Sequence, residues 1–88
     1  MKADEICERY ASRRGDLVLK LLEADTTNGS STLLIEGSPR SLRMLAELLL
    51  AVADGEEGDG FGISPFGAGS KHFSATSELG VYVHRHSK

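Results

Sequence analysis

Glu36-Gly-Ser-Pro-Arg-Ser-Leu-Arg-Met-Leu-Ala-Glu-Leu-Leu-Leu-Ala-Val-Ala-Asp-Gly55 is the stretch that decides how this chain can fold. Read as a helix, it places Leu42, Leu45, Leu49 and Val52 at successive spacings of three, four and three, which traces one face of a 3.6-residue turn. Leu48 and Ala46 widen that face, and Arg43, Glu47 and Asp54 fall on the wet side. Ser38 is a cap for the unpaired first-turn amides, Pro39 suits the first helical position, and Gly55 can adopt the left-handed conformation that closes a helix. The stretch therefore predicts a helix from Pro39 to Asp54.

Working outward, Lys2 to Ser12 puts Ala3, Ile6, Cys7, Tyr10 and Ala11 on one side at helical spacing, with acids in the first turns, and predicts a short N-terminal helix. Asp16 to Glu23 alternates as a strand, Leu17, Leu19 and Leu21 against Val18, Lys20 and Leu22, with a helix as the alternative because leucine is a good helix former. Asn28-Gly29 within the polar link that follows signals a hairpin turn, and Thr32 to Glu36 is the returning strand, expected to bury Leu33 and Ile35. After the helix, Phe61 to Ser64 reads as a short third strand with Phe61 and Ile63 inward. Pro65 to Lys71 reads as a loop and His72 to Ala75 as a few extended residues. Leu79 to Arg85 is the last strand, with Leu79, Val81 and Val83 inward.

The expected fold is α+β in the order α-β-β-α-β-β: a small antiparallel four-stranded sheet, the main helix on one face and a short N-terminal helix. The other face would show Val18, Leu22, Leu34 and Tyr82. Either the N-terminal helix, through Ile6 and Tyr10, or a second subunit would cover them.

The 88 residues make one domain, 1–88, since domains typically run to about 100–150 residues. Ten basic against thirteen acidic side chains leave a net charge of −3, which argues against non-specific nucleic-acid binding, where affinity comes from neutralising phosphates. A protein partner, if there is one, is expected to be basic. Cys7 is the only cysteine, so no disulfide within the chain and no cysteine-based zinc site can form. The charged N-terminal residues contain no apolar signal core, and no run is long enough to span a bilayer. The expected location is the cytoplasm.

Few residues offer chemistry. His84-Arg-His86 sets two imidazoles on one side of a strand and His72 could approach them, a conceivable zinc site, though solvated or partner-contacting histidines are the expected reading. Asp54, Glu56, Glu57 and Asp59 do not follow the ligand order of a calcium loop; a solvated turn that meets a basic partner fits them better. The glycines between 55 and 62 lack the Lys-Ser/Thr pair and the receiving helix of a phosphate loop. Cys7, on an apolar helical face, is expected in the core rather than as a nucleophile. Arg40 and Arg43 oppose the helix dipole, which means either a contact with an acid such as Glu36 or nothing at all. No acid–base pair or catalytic triad can be named, so neither an enzyme nor a cofactor is expected.

One resemblance goes further. Leu33 to Ala53, with its strand ending in Gly37 and its Leu-Ala-Glu-Leu-Leu helix, and Ser77-Glu-Leu-Gly-Val-Tyr-Val83 after a glycine-rich gap, resemble the immunity-protein 32 family over about half the chain. These are small bacterial proteins associated with polymorphic toxin systems. The resemblance implies a protein that binds and silences a cognate toxin without chemistry of its own. The surfaces expected to do so are the acidic loop (Asp54, Glu56, Glu57, Asp59) and the outer sheet face around Leu34, Tyr82 and His84. The alternative is a small structural domain whose open sheet face pairs in a homodimer.

Overall fold

In the computed structural model, which describes residues 2–22, 31–56 and 58–86, the chain runs α1 (Ala3–Tyr10), β1 (Val18–Leu22), β2 (Thr32–Glu36), α2 (Pro39–Ala53), β3 (Gly60–Ile63), a one-turn 3-10 helix (Ser70–His72) and β4 (Val81–His84). The α+β class and the element order are those expected. The Asn28-Gly29 turn lies outside the described residues.

The long helix α2 begins and ends as its sequence dictates. Ser38 caps it, its Oγ accepting the Ser41 amide at 3.3 Å, and Pro39 occupies the first turn. At the other end Gly55 takes φ 78°, which lets its amide reach the Val52 carbonyl at 3.0 Å and that of Glu56 reach Ala51 at 3.0 Å. This pairing satisfies the last carbonyls. The buried face, however, is turned from the expected one. Ser41, Met44, Leu45, Leu48, Ala51 and Val52 are buried, while Leu42, Ala46 and Leu49 are exposed. The cause is α1, which docks along α2. Arg9 and Tyr10 both donate to the Glu47 carboxylate. Packing from that side draws Met44 and Ala51 inward and leaves the opposite flank to solvent. Among the described residues Arg40 pairs with no acid: it donates to the Tyr10 carbonyl at 3.0 Å and to Ser12 Oγ at 3.2 Å. Its guanidinium also lies 4.9 Å from the centroid of the Tyr10 ring, which Arg9 approaches at 5.0 Å.

The single four-stranded sheet is not formed. β1 pairs only with β2 and β3 only with β4, both antiparallel, as two separate hairpins. The free edge of β1 is taken instead by the irregular segment that precedes β4. Leu17 donates to the His72 carbonyl and accepts from Ser74, and the Leu19 carbonyl accepts from Glu78 and Leu79. The Leu19 amide, at 3.0 Å, donates to the buried Ser77 Oγ. That segment occupies the place a third strand would need.

The core gathers Leu17 and Leu19 of the first hairpin, Phe73, Ile63, the α2 face, and Ala3 and Ile6 of α1. Leu33 and Ile35, expected inside, are 49% and 45% exposed. Their orientation is right but their position is too distal: Ile35 sits opposite Leu19 and Leu33 opposite Leu21, so they share the inward face of β1. Of this inward row only Leu17 and Leu19 reach the core cluster, and the hairpin runs on past it. Val18, Leu22, Leu34 and Tyr82 do not share a face, because Tyr82 belongs to the other hairpin, and α1 covers α2 rather than this surface.

Candidate protein-binding surface

The outward row of β4 is the most distinctive surface. Alternation along the strand turns Val81 and Val83 toward α2 and Tyr82 and His84 to solvent. The Tyr82 and His84 rings stack with centroids 6.4 Å apart and planes 18° from parallel, and His86 meets His84 edge-on at 6.3 Å. Across the ladder stand the two glycines of β3. A Cβ on Gly62 would come within 2.8 Å of Tyr82 Cδ2, and one on Gly60 within 2.7 Å of its hydroxyl. The glycines let the ring lie flat on the strand. Tyr82 is still 70% exposed. Beside it opens a shallow cleft of about 360 Å³ whose lining includes Gly62, Ser64, Ala68, Gly80 and Tyr82.

The loop between α2 and β3 carries the acids. Asp59 comes just before Gly60, which pairs with His84. Asp54 caps α2, and Asp54, Glu56 and Asp59 are all exposed. Glu57 lies outside the described residues. Arg85 holds the loop: its amide donates to the Asp59 carbonyl at 2.6 Å and its Nη2 to the Gly58 carbonyl at 3.1 Å. The same nitrogen lies 3.7 Å from the Asp59 carboxylate, so part of the loop's negative charge is offset from within the chain. Arg85 was not singled out by the sequence, and neither was the glycine bed under Tyr82. The signal for the latter is the Gly-x-Gly alternation of Gly60 and Gly62. Of the expected site residues, Tyr82 and His84 share the outward row of β4, Asp54, Glu56 and Asp59 are exposed between the end of α2 and the start of β3, and the half-buried Leu34 sits on the other hairpin.

His72 stands apart from His84 and His86. It is buried in the 3-10 turn rather than in an extended run, and it lines a second cleft of about 400 Å³ with Cys7, Asp4, Glu8 and Lys71. Burial first, then the nearby charges of Lys71 and Arg40, holds its ring below the usual histidine range and favours the neutral form. The three histidines therefore do not converge, and among the described residues no group of three or more His, Cys, Asp or Glu side chains is arranged to hold a metal. Cys7 is half-buried against the core. Among the described residues no helix is long and apolar enough to cross a membrane.

Comparison with protein-family models, with curated proteins and with solved structures finds no match. What fold and surface define is a class: a small α+β domain of two antiparallel hairpins and one long helix, presenting an aromatic row on β4.

Proposed function

We propose that this chain is a non-enzymatic protein-binding domain that engages its partner through the outer face of β3–β4. The observation that carries this reading is Tyr82, a large side chain 70% exposed yet seated on a bed of glycine beside a cleft. A tyrosine already held in place loses little conformational freedom on binding and supplies much contact area. For that reason tyrosine is enriched among the residues that dominate interface energies. His84 extends the contact surface, and the exposed carboxylates of Asp54, Glu56 and Asp59 favour a basic partner by steering encounter. With the resemblance to the immunity-protein 32 family, this supports a specific role: a cytoplasmic protein that silences a basic toxin domain by covering its working surface.

The test is affinity capture from the organism's own lysate, followed by measured affinity of the captured protein for wild type, Tyr82→Ala and His84→Asp. Tyr82→Ala uncovers the glycine strand, so His84→Asp serves as the variant that leaves the hairpin packing alone. At least a ten-fold loss is expected for each, roughly 1.4 kcal/mol. Wild-type affinity in both variants, with unchanged melting temperatures, would overturn the reading.

A further inference from the structure

Among the described residues the side of β2 away from β1 pairs with no strand, and it lies on the hairpin away from the aromatic row. Hydrogen bonds in an antiparallel ladder alternate between the two sides of each strand. In β1 the amide or carbonyl groups of Leu17 and Leu19 bond outward, to the segment of residues 72–79. The even-numbered residues Val18, Lys20 and Leu22 therefore bond inward, to Glu36, Leu34 and Thr32. It follows that the amides and carbonyls of Leu33 and Ile35 point away from β1. Among the described residues nothing accepts or donates to them there. Natural edge strands are blunted by a proline, an inward-pointing charge, a lysine or a bulge. Thr-Leu-Leu-Ile-Glu, residues 32–36, has no proline, lysine or bulge, and its side chains at 33 and 35 are half-exposed aliphatics.

We infer that β2 is the site at which a second copy of this chain adds, antiparallel, to build a continuous sheet in the order β1-β2-β2-β1. The register follows from which groups are free. A two-fold axis through Leu34 sets Leu33 opposite the partner's Ile35, and Ile35 opposite the partner's Leu33. Both are hydrogen-bonded pairs, so all the outward groups of these residues are satisfied together. The same axis puts Glu36 opposite the partner's Thr32, so no like charges face each other, and it brings Leu33 and Ile35 of both copies into one aliphatic cluster on the inward face, flanked by Leu21. A foreign strand would find the same hydrogen bonds, but only a second copy guarantees this matching of side chains and charge. A five-residue strand makes a small interface beside the roughly 800 Å² per partner typical of stable ones. The dimer is accordingly a concentration-dependent one, with a dissociation constant in the range of about 10 μM to 1 mM. It would present two aromatic faces in one assembly, a property that the proposed binding function does not require.

Sedimentation velocity on the full chain, from a few micromolar to about 1 mM, tests this. Wild type should pass from monomer to dimer. Ile35→Lys places a charge on the exposed edge, and Leu33→Pro removes an amide that points outward, so neither disturbs the β1–β2 ladder. Each should weaken the dimer at least ten-fold, whereas Leu50→Lys, at an exposed α2 position, should not. Mixing isotope-labelled and unlabelled chains should give intermolecular nuclear Overhauser contacts between Leu33 and Ile35. A monomer at every concentration, a dimer indifferent to both edge variants, or one broken by Leu50→Lys instead would overturn the inference. Each of these results leaves the aromatic-face reading standing, because that surface is probed by other residues.

Discussion

Asp16 shows what single residues do for this fold. Its carboxylate accepts from the Ser38 amide at 3.0 Å, the Ser38 hydroxyl at 3.0 Å and the Ser41 hydroxyl at 2.6 Å, tying the start of β1 to the start of α2. The Ser41 hydroxyl above all, then the Ser38 amide, holds its pKa below the usual carboxylate range, and the helix N-terminus favours the same charge. Glu47 is lowered likewise, first by the Tyr10 hydroxyl and then by Arg9. A carboxylate with a depressed folded-state pKa contributes stability above its unfolded value and loses it as pH falls through the folded one. His72 is depressed too, by burial, so its share is complete above the ordinary histidine value and declines as pH drops below it. The expected outcome is a melting temperature that falls in two stages on acidification, first below about pH 6.5 and again below about pH 4. His72→Gln should remove the first stage only. Identical curves for the two proteins between neutrality and pH 5 would contradict it. None of these contacts was legible beforehand: Asp16 and Ser41 are 25 residues apart, and no local pattern links them. Ser77, visible only as part of a Ser-x-Leu motif, satisfies an amide 58 positions away.

At the scale of elements, α2 was legible from end to end because its signals are local: a cap, a proline, a periodic apolar face and a closing glycine. Its rotation was not. Periodicity shows that Leu42, Leu45 and Leu49 share a side, but the neighbours determine which flank of that side is covered. Here α1, held by Glu47, draws the buried arc toward Met44 and Ala51. The β3–β4 hairpin gives a direct test of how Tyr82 is seated. A Cβ at Gly62 would lie 2.8 Å from the ring, too close for any side chain unless the ring moves. Gly62→Val should therefore destabilise the protein by about 1–3 kcal/mol in urea unfolding and lift Tyr82 off the strand. In Tyr82→Ala the same substitution should cost markedly less, because the clash is gone, and the double-mutant cycle isolates that coupling. Additive effects would mean that the ring does not rest on the glycine.

Across the whole molecule, class and element order could be read in advance, while the joining of the hairpins could not. Four alternating segments look like four strands of one sheet. Whether they unite depends on what lies along β1, and the segment from His72 to Leu79 lies there by way of Ser77 and main-chain bonds that no alternation predicts. The split has a functional consequence. It separates Leu34 from Tyr82 and His84, so that the surface once expected as one becomes an aromatic face on one hairpin and an aliphatic edge on the other. The acidic loop leads into β3 through Asp59, next to Gly60, the partner of His84 in the ladder. Native mass spectrometry on tagged chain recovered from its own organism's lysate, with His84→Asp alongside, tests directly whether the β3–β4 face binds a partner. A stoichiometric foreign protein should be bound to wild type and absent from the variant. A wild-type chain that flies with no foreign protein, or a companion retained equally by His84→Asp and Tyr82→Ala, would contradict it.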